Sequence, residues 1–63
     1  MGKVKCEVEY RDRDWAFVTV EIMLDESVIE KGDEFSRNIA AIVIAGTKRG
    51  KGLNKISKLT VKS

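Results

Sequence analysis

The chain has 63 residues and a formal net charge of +2; 35 % of its residues are charged and 43 % are hydrophobic, a share that predicts a folded domain and argues against disorder. So short a chain excludes a large core; a lone Cys excludes an internal disulfide, and the absence of His argues against a structural zinc site. We therefore predict a single domain over residues 1–63 and, because such small cores are marginal, self-association into a homo-oligomer.

The sequence shows no sign of a membrane-spanning or secreted protein. It contains no run of 18 apolar residues, and no apolar segment follows Lys3 and Lys5 as a signal peptide would require. The lone Cys6 suits a reducing compartment. We expect a cytoplasmic protein.

Two alternating segments predict an antiparallel hairpin. Apolar side chains occupy the even positions of 3–10, and again the even positions of a second strand that starts at Trp15 or Ala16 and ends at Leu24. A register in which paired numbers sum to 26 sets these apolar sides face to face, with Tyr10 opposite Ala16. The hairpin loop is then 12–14, with Asp14 in the left-handed conformation.

The next segment is acidic and leads into a helix. We predict a turn or one short helical turn over 26–31, followed by a helix from Asp33, as its N-cap, to Ala45, with Gly46 as its C-terminal cap. The carboxylates at its start complement the helix dipole, which explains them without a metal or a catalytic role.

One face of this helix carries Phe35, Ile39, Ile42 and Val43, and we expect that face to pack on the strands. Ile44 then points almost the opposite way, towards a partner. The competing prediction is a strand, because Ile42, Val43 and Ile44 form a β-branched run, and the chain would then be a small all-β barrel.

The chain ends in a third strand in which Leu59 and Val61 alternate with polar residues. The predicted fold is therefore α+β, a small β-β-α-β domain in which an N-terminal hairpin and a C-terminal strand pack on one helix. If the last strand is parallel to the second, the strand order is 2-1-3 and the helix covers the even-numbered face.

Charge is unevenly distributed along the chain. Residues 1–46 carry six basic and ten acidic side chains, a net charge of −4, whereas 47–63 carry six basic side chains and no acid. The glycines of 46–52 predict a flexible basic loop whose amides can approach phosphates. These features predict a non-enzymatic nucleic-acid-binding module with weak base specificity. The proposed phosphate-binding residues are Lys48, Arg49, Lys51, Lys55 and Lys58.

A protein-binding module or inhibitor, of the size common in phages and plasmids, is the alternative. Its docking residues would be Trp15, Phe17 and Ile44, and its acidic segment would mimic nucleic acid or contact a basic partner. The two aromatic residues, which lie on the outer side of the hairpin, could instead stack on bases.

Catalysis is the least supported class of function. The sequence offers no His and no nucleophile with a matching base, and 46–52 lacks the spacing and the hydroxyl of a Walker A loop. We expect no cofactor and no metal. Cys6 lies on the apolar side of its strand, so we expect a buried, unreactive thiol.

Overall fold

The computed structural model describes residues 2–62, which form three strands and two helices. Strand β1 is Lys3–Arg11, β2 is Phe17–Asp25 and β3 is Lys55–Val61, while helix α1 is Glu26–Glu30 and helix α2 is Asp33–Ala45. The sheet is open and antiparallel, in the order β2-β1-β3. The α+β prediction and the strand order are confirmed, and the all-β barrel is wrong.

The register of the hairpin differs from the predicted one. Tyr10 pairs with Val18 and Cys6 pairs with Ile22, so the paired numbers sum to 28. A shift of two residues keeps every side chain on its predicted face, so the apolar pattern could not distinguish the two registers. The pairing leaves five residues, 12–16, in the hairpin loop.

Asp12 is the reason for this longer loop. Its carboxylate Oδ1 accepts hydrogen bonds from the backbone N–H of Asp14 at 2.8 Å and of Ala16 at 3.0 Å. Its own backbone N–H donates to the carbonyl of Ala16 at 3.0 Å, and its carbonyl accepts from Trp15 at 2.9 Å. Such an Asx turn closes the loop locally. The left-handed residue is Trp15, with φ of 65°, and not Asp14 as predicted.

The two helices are separated by a turn that only glycine suits well. Gly32 has φ of 110° and ψ of 170°, a region essentially restricted to residues without a Cβ. It is the N-cap of α2, and Asp33, predicted as the N-cap, is the first helical residue. The short helical turn predicted over 26–31 is present as α1.

The core lies between α2 and the even-numbered face of the hairpin, as predicted. Its buried side chains include Cys6, Val8, Tyr10 and Leu24 from the sheet. The helix contributes a different face from the one expected, because Ser36, Ala40 and Ile44 are buried. Of the predicted inward face, Ile39 packs against the core, but Phe35, Ile42 and Val43 are exposed, so the prediction is wrong for these three residues.

Strand β3 pairs with β1 through a bulge. Glu9 pairs with Lys58, and the next residue, Tyr10, pairs with Ile56, so Ser57 is the extra residue. Beyond the bulge Lys55 lies opposite Arg11. This pairing brings the start of β3 to the hairpin loop.

Candidate nucleic-acid interface

The basic loop after α2 is held by a set of hydrogen bonds. The Thr47 hydroxyl donates to the carbonyl of Ile44 at 2.6 Å and accepts from the backbone N–H of Gly50 at 3.0 Å. Gly50 is buried, and a Cβ added there would overlap the carbonyl oxygen and Cγ2 of Ile44. The loop predicted to be flexible is thus fixed against the end of α2, and its exposed cations have a defined placement.

This loop meets the hairpin loop. Asn54 joins the two, because its backbone N–H donates to the carbonyl of Arg11 at 2.8 Å and its Nδ2 donates to the carbonyl of Asp12 at 2.7 Å. A cavity of about 430 Å³ lies between the loops. Its lining residues, all of them charged, are Asp12, Arg13, Asp14, Lys48, Arg49 and Lys51.

Aromatic residues lie at the same end of the molecule. The Arg11 guanidinium carbon lies 3.7 Å from the centre of the Phe17 ring, and its Nη1 donates to the carbonyl of Trp15 at 2.9 Å. Trp15 is 59 % exposed and Phe17 is 60 % exposed. Lys55 lies beside Arg11 on the neighbouring strand. Cations and open aromatic surface therefore adjoin each other here.

We call this surface the basic end. It combines six cations with two carboxylates, a formal charge of +4. One of the carboxylates, that of Asp12, already accepts the backbone hydrogen bonds of the hairpin loop. Neither ion pair found within residues 2–62 involves these groups. The cations are Arg11, Arg13, Lys48, Arg49, Lys51 and Lys55, and the acids are Asp12 and Asp14.

Four of the five predicted phosphate-binding residues are brought together at this end, and Lys58 is apart from them. Lys58 lies farther along β3, opposite Glu9, whose carboxylate carries the opposite charge. Arg11 and Arg13 were not predicted. The signal that could have identified them was the strand order 2-1-3, because it places the start of β3 beside the end of β1.

The opposite end of the sheet is acidic. Asp25, Glu26 and Glu30 line a cavity of about 490 Å³ with Gly2 and Ser27. Eight steps of about 3.3 Å along β2 separate Phe17 from Asp25, or roughly 26 Å. The longest dimension of the molecule is 35 Å. The acidic residues and the basic end therefore lie at opposite ends of the sheet.

The residues predicted as a protein interface differ in their exposure to solvent. Trp15 and Phe17 are exposed, as expected, but Ile44 is only 2 % exposed and packs in the core. The expectation that Ile44 contacts a partner is therefore wrong. Its neighbours Ile42 and Val43 are 69 % and 41 % exposed instead.

The remaining candidate groups are the thiol of Cys6 and the acidic side chains. Cys6 is fully buried, as predicted, and this burial raises the pKa of its thiol and disfavours the reactive thiolate. Over residues 2–62, no group of three or more acidic or Cys side chains is placed to hold a metal ion. Neither helix in that range has the length and apolar content that crossing a membrane requires.

No protein-family model, curated protein or solved structure matches this chain. An inference about its function therefore depends on surface chemistry alone. The basic end is the surface on which charge, aromatic exposure and defined loop geometry coincide.

Proposed function

We propose that this protein is a non-enzymatic module that binds the phosphate backbone of nucleic acids through its basic end. The observation that carries the proposal is the convergence of cations from the hairpin loop, the loop after α2 and the start of β3. Phosphates bind such a surface largely through counterion release, which needs closely spaced cations and no base contacts.

The aromatic residues favour a single strand as the preferred ligand. A base can stack on Trp15, whose ring is largely open to solvent, while neighbouring phosphates contact Arg13 and Lys51. Phe17 is already covered on one side by Arg11, so it offers less free ring surface. Because every base has a flat face, this binding is tolerant of sequence.

Titration of fluorescently labelled single-stranded and duplex oligonucleotides at several salt concentrations tests the proposal. If about four cations contact phosphates, the logarithm of the association constant falls with that of salt with a slope of roughly −3 to −4. Lys48→Ala and Lys51→Ala each flatten the slope by about one unit and weaken all sequences alike.

Matched variants localise the effect. Lys3→Ala removes a similarly exposed lysine at the far end of β1 and leaves the slope unchanged. Trp15→Asn, which suits the left-handed backbone at this position, weakens single-strand binding more than duplex binding. Absence of binding to either oligonucleotide at ~100 μM protein and low salt, where weak non-specific binders usually bind, overturns the proposal.

A second candidate is a protein-binding module or inhibitor. It is favoured by the outer face of the sheet, where Phe17 and Met23 are 60 % and 50 % exposed. The acidic end would then contact a basic partner. Capture of one partner by the wild type, with loss of that partner on Phe17→Thr but not on Lys48→Ala, would support this candidate over nucleic-acid binding.

A further inference from the structure

An open groove of about 740 Å³ runs between α2 and β3, and Lys55 is the residue it shares with the basic end. Within residues 2–62, β3 is an edge of the sheet, so one wall of the groove is a strand with a free side. The small residues Ala41 and Ala45 line the helical wall, and Leu53 and Ile56 line the strand side. The groove is therefore wide and largely apolar at its middle.

Ile42 stands at the rim of this groove. It is 69 % exposed, the highest exposure among the exposed large hydrophobic side chains of residues 2–62. A branched aliphatic side chain left so open next to an apolar groove is unfavourable in water. Exposed apolar surface of this kind, bordered by polar groups, is typical of interaction sites.

The charges along the groove indicate what occupies it. Asp33, Glu34 and Arg37 line it at the start of α2, where Arg37 forms an ion pair with Asp33 at 2.9 Å, so this end carries a net charge of −1. Lys55 lines the groove at the other end. Lys48 and Arg49 follow immediately after the end of α2. The groove is thus acidic at one end and positively charged at the other. A second copy of the groove in the reverse orientation would place opposite charges against each other at both ends.

We propose that the α2–β3 groove is the interface of a symmetric homodimer, in which α2 of one copy packs antiparallel to α2 of the other. With the two-fold axis near Ala41, Glu34 of one copy lies near Lys48 of the second, in the loop that follows its α2. Each such contact occurs twice. A parallel arrangement would instead place like charges together.

The packing is compatible with this arrangement. The alanines in the groove allow two helices to approach closely, and each Ile42 projects towards the wall of the other copy's groove. A helix of 13 residues is about 20 Å long, so the shared area is smaller than that of a standard interface. We therefore expect a reversible dimer that dissociates in the micromolar range.

Sedimentation equilibrium between about 5 and 500 μM protein tests the dimer, since weak association appears as a rise of mass with concentration. The wild type shows this rise and Ile42→Glu abolishes it, while circular dichroism confirms that the variant remains folded. Phe17→Thr is the matched control, because it removes an exposed apolar side chain from the other side of the sheet. Its association is unchanged.

A charge exchange tests the antiparallel orientation. Glu34→Lys and Lys48→Glu each raise the dissociation constant severalfold, because each creates two like-charge contacts per dimer. An equimolar mixture of the two variants restores association, because every contact in the mixed dimer is again between opposite charges. A mixture that associates no more tightly than either variant alone overturns the orientation.

Two further results would overturn the proposal. One is a wild type that stays monomeric at every concentration; the groove would then be left to another occupant, such as an extended peptide added along β3. The other is a dimer that survives Ile42→Glu. Lys48 takes part both in the dimer contact and in the basic end, but Ile42→Glu leaves that cation in place. The nucleic-acid binding of this variant can therefore be measured separately from its association.

Discussion

The two sides of α2 differ in a way opposite to the usual expectation. The buried side carries Ser36, Ala40 and Ile44, of which two are small. Three large apolar residues, Phe35, Ile42 and Val43, are exposed instead. The packed side of α2 is therefore not the side that carries most of its large apolar residues.

The sheet contributes the larger side chains of the core. Tyr10 is fully buried on the face below α2 and is the largest of the fully buried side chains in the described part of the chain. Val8 and Cys6 fill the same layer. Large residues on one side of an interface pack closely against small residues on the other, and the buried side of α2 supplies two small residues, Ser36 and Ala40.

Truncation of two neighbouring isoleucines should give the largest contrast between the sides. Ile44→Ala is expected to lower the free energy of unfolding by about 2–4 kcal/mol, because it leaves a cavity in the core. Ile42→Ala is expected to change it by less than about 0.5 kcal/mol, since that side chain is 69 % exposed. Urea unfolding at low protein concentration, where the proposed dimer is dissociated, measures both values.

A domain of this size has roughly 3–9 kcal/mol of stability, so Ile44→Ala could unfold it. Ile44→Val is the milder substitution, with an expected loss of about 0.5–1.5 kcal/mol. Equal losses at positions 42 and 44 would contradict the assignment of the buried side.

Two glycines test how tightly the buried side is packed. Gly50→Ala is expected to cost about 1–3 kcal/mol, because the added methyl overlaps Ile44 and the loop must move. Gly46→Ala is the matched control, since Gly46 has φ of −77° and an added methyl there would lie 3.4 Å from its nearest neighbour, the carbonyl oxygen of Val43. Thermal unfolding followed by circular dichroism compares them, and a Gly50→Ala melt that matches the wild type would show that the space is larger than described.

The smallest effect concerns the polar residue on the buried side. The Ser36 hydroxyl lies 2.7 Å from the carbonyl oxygen of Gly32 and 3.1 Å from that of Val28, and these two acceptors share its single proton. Ser36→Ala is therefore expected to cost about 1 kcal/mol. Ser27→Ala is the control, because Ser27 is exposed and α1 has no side-chain cap. Unfolding by guanidinium compares the two variants. Coinciding unfolding curves would contradict a stabilising role for the buried Ser36 hydroxyl.

Much of the fold was predictable from the sequence, because the spacing of apolar residues indicates whether a segment forms a strand or a helix. Alternation identified the strands, and the 33–45 segment with Gly46 identified the helix. The hairpin register was not predictable, because a slip of two residues preserves the face of every side chain. The buried side of α2 was not predictable either, because the helical period favoured the side with Phe35, Ile42 and Val43, whereas the buried side carries Ser36, Ala40 and Ile44.

The part of the candidate site formed by residues adjacent in sequence was predictable, and the part formed by residues distant in sequence was not. Lys48, Arg49 and Lys51 lie together because they are adjacent in sequence. Arg11 and Arg13 join them only through the pairing of β3 with β1 and the Asn54 bridge. Ile44 failed as an interface residue because its exposure depends on the orientation of α2.

The left-handed hairpin residue has a spectroscopic consequence. Trp15 is the sole tryptophan, it is 59 % exposed, and the core contains no indole. Its emission should therefore resemble that of indole in water in the folded state and change little on denaturation, so intrinsic fluorescence would be a poor monitor of unfolding. Quenching by iodide, which the nearby cations attract, would instead report on the electrostatic potential of the hairpin loop, and its dependence on ionic strength would measure that potential without any label.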